Sequence, residues 1–64
     1  MNSVEKLTEV TSLGWMVQLQ FRRWYTARAR PVDAYGSVVV VDGNTIDEAV
    51  DKMYSRVTAM NSEK

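Results

Sequence analysis

Arginine is the side chain from which this sequence could build chemistry. Arg22, Arg23, Arg28 and Arg30 lie in a stretch from Val10 to Val32 that contains no acidic residue, and Trp24 stands among them. A guanidinium makes bidentate contacts with phosphate or carboxylate, and an indole offers a stacking platform. Gln18, Gln20, Arg22, Trp24, Arg28 and Arg30 are therefore the candidate partner- or nucleic-acid-binding residues. Trp and Arg are typical anchors of protein interfaces, which makes a protein partner the first reading. Single-stranded nucleic acid, or a major groove entered by a β-ribbon of two copies, is the alternative. A plain solvated face is the third. The chain carries eight basic and eight acidic residues and has a pI of about 6.1. Domains dedicated to nucleic acid usually have a pI above about 9. That comparison places protein binding ahead.

The acidic residues fall elsewhere, with Asp42, Asp47, Glu48 and Asp51 grouped around one segment. Clustered carboxylates can exchange protons or hold a hard cation. Their position at the start of a helix explains them as partners of its first turn and dipole. The sequence contains no histidine and no cysteine. The commonest metal ligand, the commonest general base and the thiolate nucleophile are thus all missing. Gly14, Gly36 and Gly43 are too far apart to form a phosphate-cradling loop. The expectation is a protein that is not an enzyme, with no catalytic residues, metal or cofactor.

The elements that must position the arginines follow from periodicity. Residues 1–13 read as a short helix or arm: Val4, Leu7 and Val10 recur at helical spacing, with Ser3 as a cap and Gly14 as the stop. From Trp15 to Arg30 apolar residues take the odd positions and polar residues the even ones, the period of a half-buried strand. The segment's length fits one strand bent by a bulge near Arg22-Arg23 or two strands with a tight reversal there. No Gly, Asn or Pro marks a reversal, so one long bent strand is expected over 15–30. Pro31 to Gly36 reads as a loop and 37–42 as a second strand. The four consecutive valines, Val38 to Val41, predict cover on both faces.

Thr45 caps the last helix, over 45–60, and Glu48 completes a capping box. Ile46, Ala49, Val50, Met53, Tyr54, Val57 and Met60 form its apolar stripe. Met16, Met53 and Met60 read as core fillers. Residues 61–64 are a polar tail. The fold class is α+β: a small two- to three-stranded antiparallel sheet packed by a C-terminal amphipathic helix, in the order (α)-β-β-α, as one domain over 1–64.

The segment from Val38 to Val50 resembles the strand–turn–helix unit of HicB-type antitoxins and related small β-β-β-α domains. Gly43, Thr45, Glu48 and Ala49 carry the likeness. The glycine-rich, aromatic stretch of that family between its second and third strands has no counterpart here. The resemblance implies dimerisation and a partner protein.

Small domains bury only about 60% of the surface their unfolded chains expose, and chains without disulfides or metals commonly oligomerise. A homodimer is the corresponding expectation, with a second subunit over the outer valine face or along the arginine–tryptophan strand. No run of apolar residues reaches the roughly 18 needed to span a bilayer. The N-terminal residues lack the pattern of a signal peptide. A cytoplasmic binding or regulatory protein is expected, of the size of a phage or mobile-element accessory protein.

Overall fold

In the computed structural model, which describes residues 2–32 and 38–62, two helices cover one face of a three-stranded sheet. The elements are α1 (Ser3–Ser12), β1 (Trp15–Phe21), β2 (Tyr25–Pro31), β3 (Val39–Gly43) and α2 (Ile46–Ser62). The strands are antiparallel in the order β1-β2-β3, with β2 in the centre. The architecture is the α+β one expected, with three strands and an order of α-β-β-β-α.

The expectation of one long strand over 15–30 is corrected: the segment is a hairpin whose turn is Arg22-Arg23-Trp24. Phe21 pairs with Tyr25 and Trp15 with Pro31, so every partner pair joins residues of equal parity. Alternation therefore runs through the turn unbroken, as in a single strand. The turn also lacks the residues that mark most reversals. Among the described residues, no non-glycine has positive φ, so the turn does not need the left-handed conformation that selects Gly or Asn. Its amide at Arg22 donates to the Trp24 carbonyl at 3.1 Å.

The parity of the register divides the sheet. Trp15, Ala27, Ala29, Val39 and Val41 are buried under the helices, where they meet Val10 of α1 and Ala49, Val50, Met53 and Val57 of α2. Met53 fills the core as expected. Met16 does not: it is half exposed on the opposite face, where its even position puts it. Val38 and Val40 stand on that face too and are exposed, while Val39 and Val41 are buried. The ends of the α2 stripe also emerge, with Ile46 44% and Met60 36% exposed.

α1 is a helix, capped by Asn2 instead of Ser3; the Asn2 side chain accepts from the Glu5 amide at 2.8 Å. It ends at Gly14, whose φ of +88° suits a residue without Cβ. Pro31, expected to open a loop, is the last residue of β2. The second strand covers Val39–Gly43, and the expected positions 33–37 of loop and strand lie outside the described residues. The last helix begins at Ile46 behind its Thr45 cap and continues through Asn61 and Ser62.

Small residues let the layers approach. Gly43 ends β3 directly beneath the first turn of α2, where an added Cβ would lie 2.6 Å from the Ala49 nitrogen and 3.0 Å from its Cα. Backbone occupies that space and cannot rotate away. Gly43→Ala is expected to lower stability by about 3 kcal/mol, read as an earlier urea midpoint with an unchanged slope.

Candidate binding surface

The even positions of the sheet form its helix-free face. Across it the register sets Met16 beside Arg30, Arg28 between Gln18 and Val40, and Thr26 between Gln20 and Asp42. Arg28 thus occupies the middle of the central strand. The Thr26 hydroxyl donates to Asp42 at 2.9 Å, a cross-strand pair of the ordinary stabilising kind. An Arg30 guanidinium nitrogen lies 3.9 Å from the Met16 sulfur, a weak contact. Among the described residues, no carboxylate pairs with Arg22, Arg23, Arg28 or Arg30.

Of the six sequence-derived candidates, four belong to this face: Gln18, Gln20, Arg28 and Arg30. Arg22 and Trp24 do not join them as strand residues, because they form the hairpin turn, exposed at the tip. A groove of about 390 Å³ runs over Met16, Gln18, Arg28, Arg30 and Val38. Met16, Val38 and Val40 are 50%, 52% and 53% exposed, so sulfur-containing surface on one side and aliphatic surface on the other flank the two arginines. These three residues were not among the candidates. Parity alone places Met16 beside Gln18, but the parity of the valine run has no sequence mark without the register of β3 on β2. The face offers cations and apolar contact, with no imidazole or thiol among its residues.

The carboxylates at the start of α2 are structural ties. α1 and α2 run parallel, and each acidic side chain meets a partner. Asp47 accepts from the Ser3 hydroxyl, and Asp51 pairs with Lys6 at 2.6 Å. One turn on, the Tyr54 hydroxyl donates to Glu9. That bond, with partial burial and the nearby negative charge, raises the Tyr54 pKa. Glu48 pairs with Lys52 at 3.1 Å and accepts from the Asn44 amide, while its own amide donates to Thr45 at 3.0 Å. The capping box is therefore closed one residue earlier than usual, at Asn44 instead of Thr45. Among the described residues, no group of three acidic, His or Cys side chains could hold a metal ion. Among the described residues, no helix is long and apolar enough to cross a membrane.

No protein-family model, curated protein or solved structure matches the chain.

The Lys52 ammonium and the Asn44 amide hold the Glu48 carboxyl below its ordinary pKa of 4.5. A carboxyl with a lowered folded pKa stabilises the fold above its unfolded value, and that contribution disappears as pH falls through the folded one. Glu48→Gln is thus expected to melt earlier than the wild type at neutral pH and to converge with it in acid below 4.5. Thermal melts at paired pH values check this; a gap that persists in acid would assign the loss to something other than charge.

Proposed function

We propose that this chain is a non-enzymatic binding protein that engages another protein through the helix-free face of its sheet. The observation that carries the reading is that Arg28 and Arg30, which no carboxylate pairs among the described residues, are set among exposed Met16, Val38 and Val40. Met and Arg are enriched at protein interfaces, and an apolar centre gains from desolvation what a bare phosphate backbone cannot supply. The complementary partner is a surface with aliphatic side chains and carboxylates placed to meet the two guanidinium groups. A regulatory role in the cytoplasm, including that of a phage or mobile-element accessory protein, is consistent with a module that only binds.

Nucleic acid is the second reading. It is favoured by the four arginines that no carboxylate pairs among the described residues and by Trp24, which is 47% exposed at the tip. Such binding would depend steeply on salt, because each phosphate contact releases counterions.

Capture on the immobilised chain separates the two readings. A protein retained by the wild type is expected to be lost with Arg28→Glu/Arg30→Glu and with Met16→Asp, each weakening binding by about 2 kcal/mol or more. Arg22→Ala should retain it. If the wild type instead shifts RNA or DNA in a gel at low salt, and Arg22→Ala/Arg28→Ala abolishes the shift, the nucleic-acid reading replaces this one.

A further inference from the structure

The inner face of the sheet is not covered along its whole length. On β1 exposure rises from 8% at Trp15 through an intermediate Val17 to 41% at Leu19 and 60% at Phe21. All four residues are on the helix-bearing face by parity. The helices therefore cover the beginning of β1 and leave its end open, where the Phe21 and Tyr25 rings meet with centroids 4.7 Å apart.

This open end gathers three parts of the chain. Tyr25 pairs with both Phe21 and Gly43, so the hairpin tip and the end of β3 adjoin. α2 starts directly after Gly43, and the Ser3–Asp47 bond brings the start of α1 beside it. Leu19, Phe21, Trp24, Ile46 and Val4 are thus exposed large apolar residues at one end of the molecule, the last 71% exposed. Charge is divided between the layers there. In the sheet layer Arg22 and Arg23, which no carboxylate pairs among the described residues, outweigh Asp42 of β3. The helix starts carry Glu5, Asp47, Glu48 and Asp51 against Lys6 and Lys52, leaving them net negative.

We propose that this end is a self-association surface whose occupant is a second copy of the same chain. In a two-fold dimer the same patch contributes from both sides. A two-fold axis lying across the strands, parallel to the sheet, inverts the layer order in the second copy. The arginine tip of one protomer then faces the acidic helix starts of the other, twice, around a shared apolar centre. The other two-fold of an end-on dimer, perpendicular to the sheet, keeps the layer order and sets sheet layer on sheet layer and helix starts on helix starts, which like-charge repulsion disfavours. The chain's own charge layout thus supplies the complementarity and selects the symmetry. This surface is separate from the helix-free face, which would remain open on both protomers.

Sedimentation equilibrium with circular dichroism as a check of folding tests the proposal. A dimer is expected for the wild type and a folded monomer for Phe21→Asp. Arg22→Glu/Arg23→Glu and Glu5→Lys/Asp47→Lys should each weaken dimerisation at least about tenfold, the effect of roughly 1.4 kcal/mol. Mixing those two variants should restore a dimer, since each then presents the charge the other lacks. If the Glu5/Asp47 variant fails to fold, the tip variant and Phe21→Asp decide by themselves. A monomeric wild type, or a dimer unaffected by both of those changes, would overturn the proposal. So would a dimer that dissociates only on Arg28→Glu/Arg30→Glu, which would move self-association to the helix-free face.

Discussion

The close seating of α2 on the sheet is the constraint from which the rest of the structure follows. It depends on what is missing at Gly43, where backbone meets backbone without an intervening Cβ. The same economy continues inward, where Ala27 and Ala29 on the central strand and Ala49 on the helix are fully buried or nearly so. The largest fully buried side chains, Met53, Val50, Val57 and Val10, come from the helices, and Trp15, Val39 and Val41 complete the core from the outer strands. Alanines on the central strand beneath these larger helix residues fix the height of the helices above it. The same seating also sets the start of α2 within reach of α1, so that the acidic first turns tie the two helices together. With both helices committed to one face, the other face is left to the solvent or to a partner.

The parts of this fold that were legible in the sequence are those with local causes. The Thr45 cap, Glu48 three residues later and the apolar stripe of α2 are short-range signals; the cap is present as expected, and the stripe packs from Ala49 to Val57 while Ile46 and Met60 emerge at its ends. The hairpin was hidden because its turn preserves parity and uses Arg22, Arg23 and Trp24, none of which signals a reversal. The cap of α1 was misplaced by one residue because Asn2 and Ser3 are both good caps; Ser3 is engaged elsewhere, at Asp47. That tie joins residues far apart in sequence and leaves no periodic trace. For the same reason the acidic cluster could be assigned to helix chemistry from sequence, but not to the helix–helix seam.

The candidate site was half legible. Alternation placed Gln18, Gln20, Arg28 and Arg30 together correctly, since the hairpin keeps them on one face. It carried Arg22 and Trp24 along with them, although the turn removes both from the strand ladder. What sequence could not supply was the apolar part of each surface. Met16 reads as core by residue type and as surface by parity, and parity is the better guide on a sheet with one covered face. Leu19 and Phe21 have the parity of the core, yet the helices do not extend over them. Whether an inward residue is buried depends on where the covering element begins, which is a property of the assembled layers.

The parallel course of α1 and α2 has a mechanical consequence. The start of α1 and the end of α2 lie at opposite ends of the helix pair, so a pull on the two termini draws the helices in opposite directions along their shared seam. Ser3–Asp47, Lys6–Asp51 and Tyr54–Glu9 are spaced along that seam. Loaded in shear, the three ties bear force together instead of parting in turn as in a zipper. The direction of loading, more than its size, would then set which part of this small domain yields first.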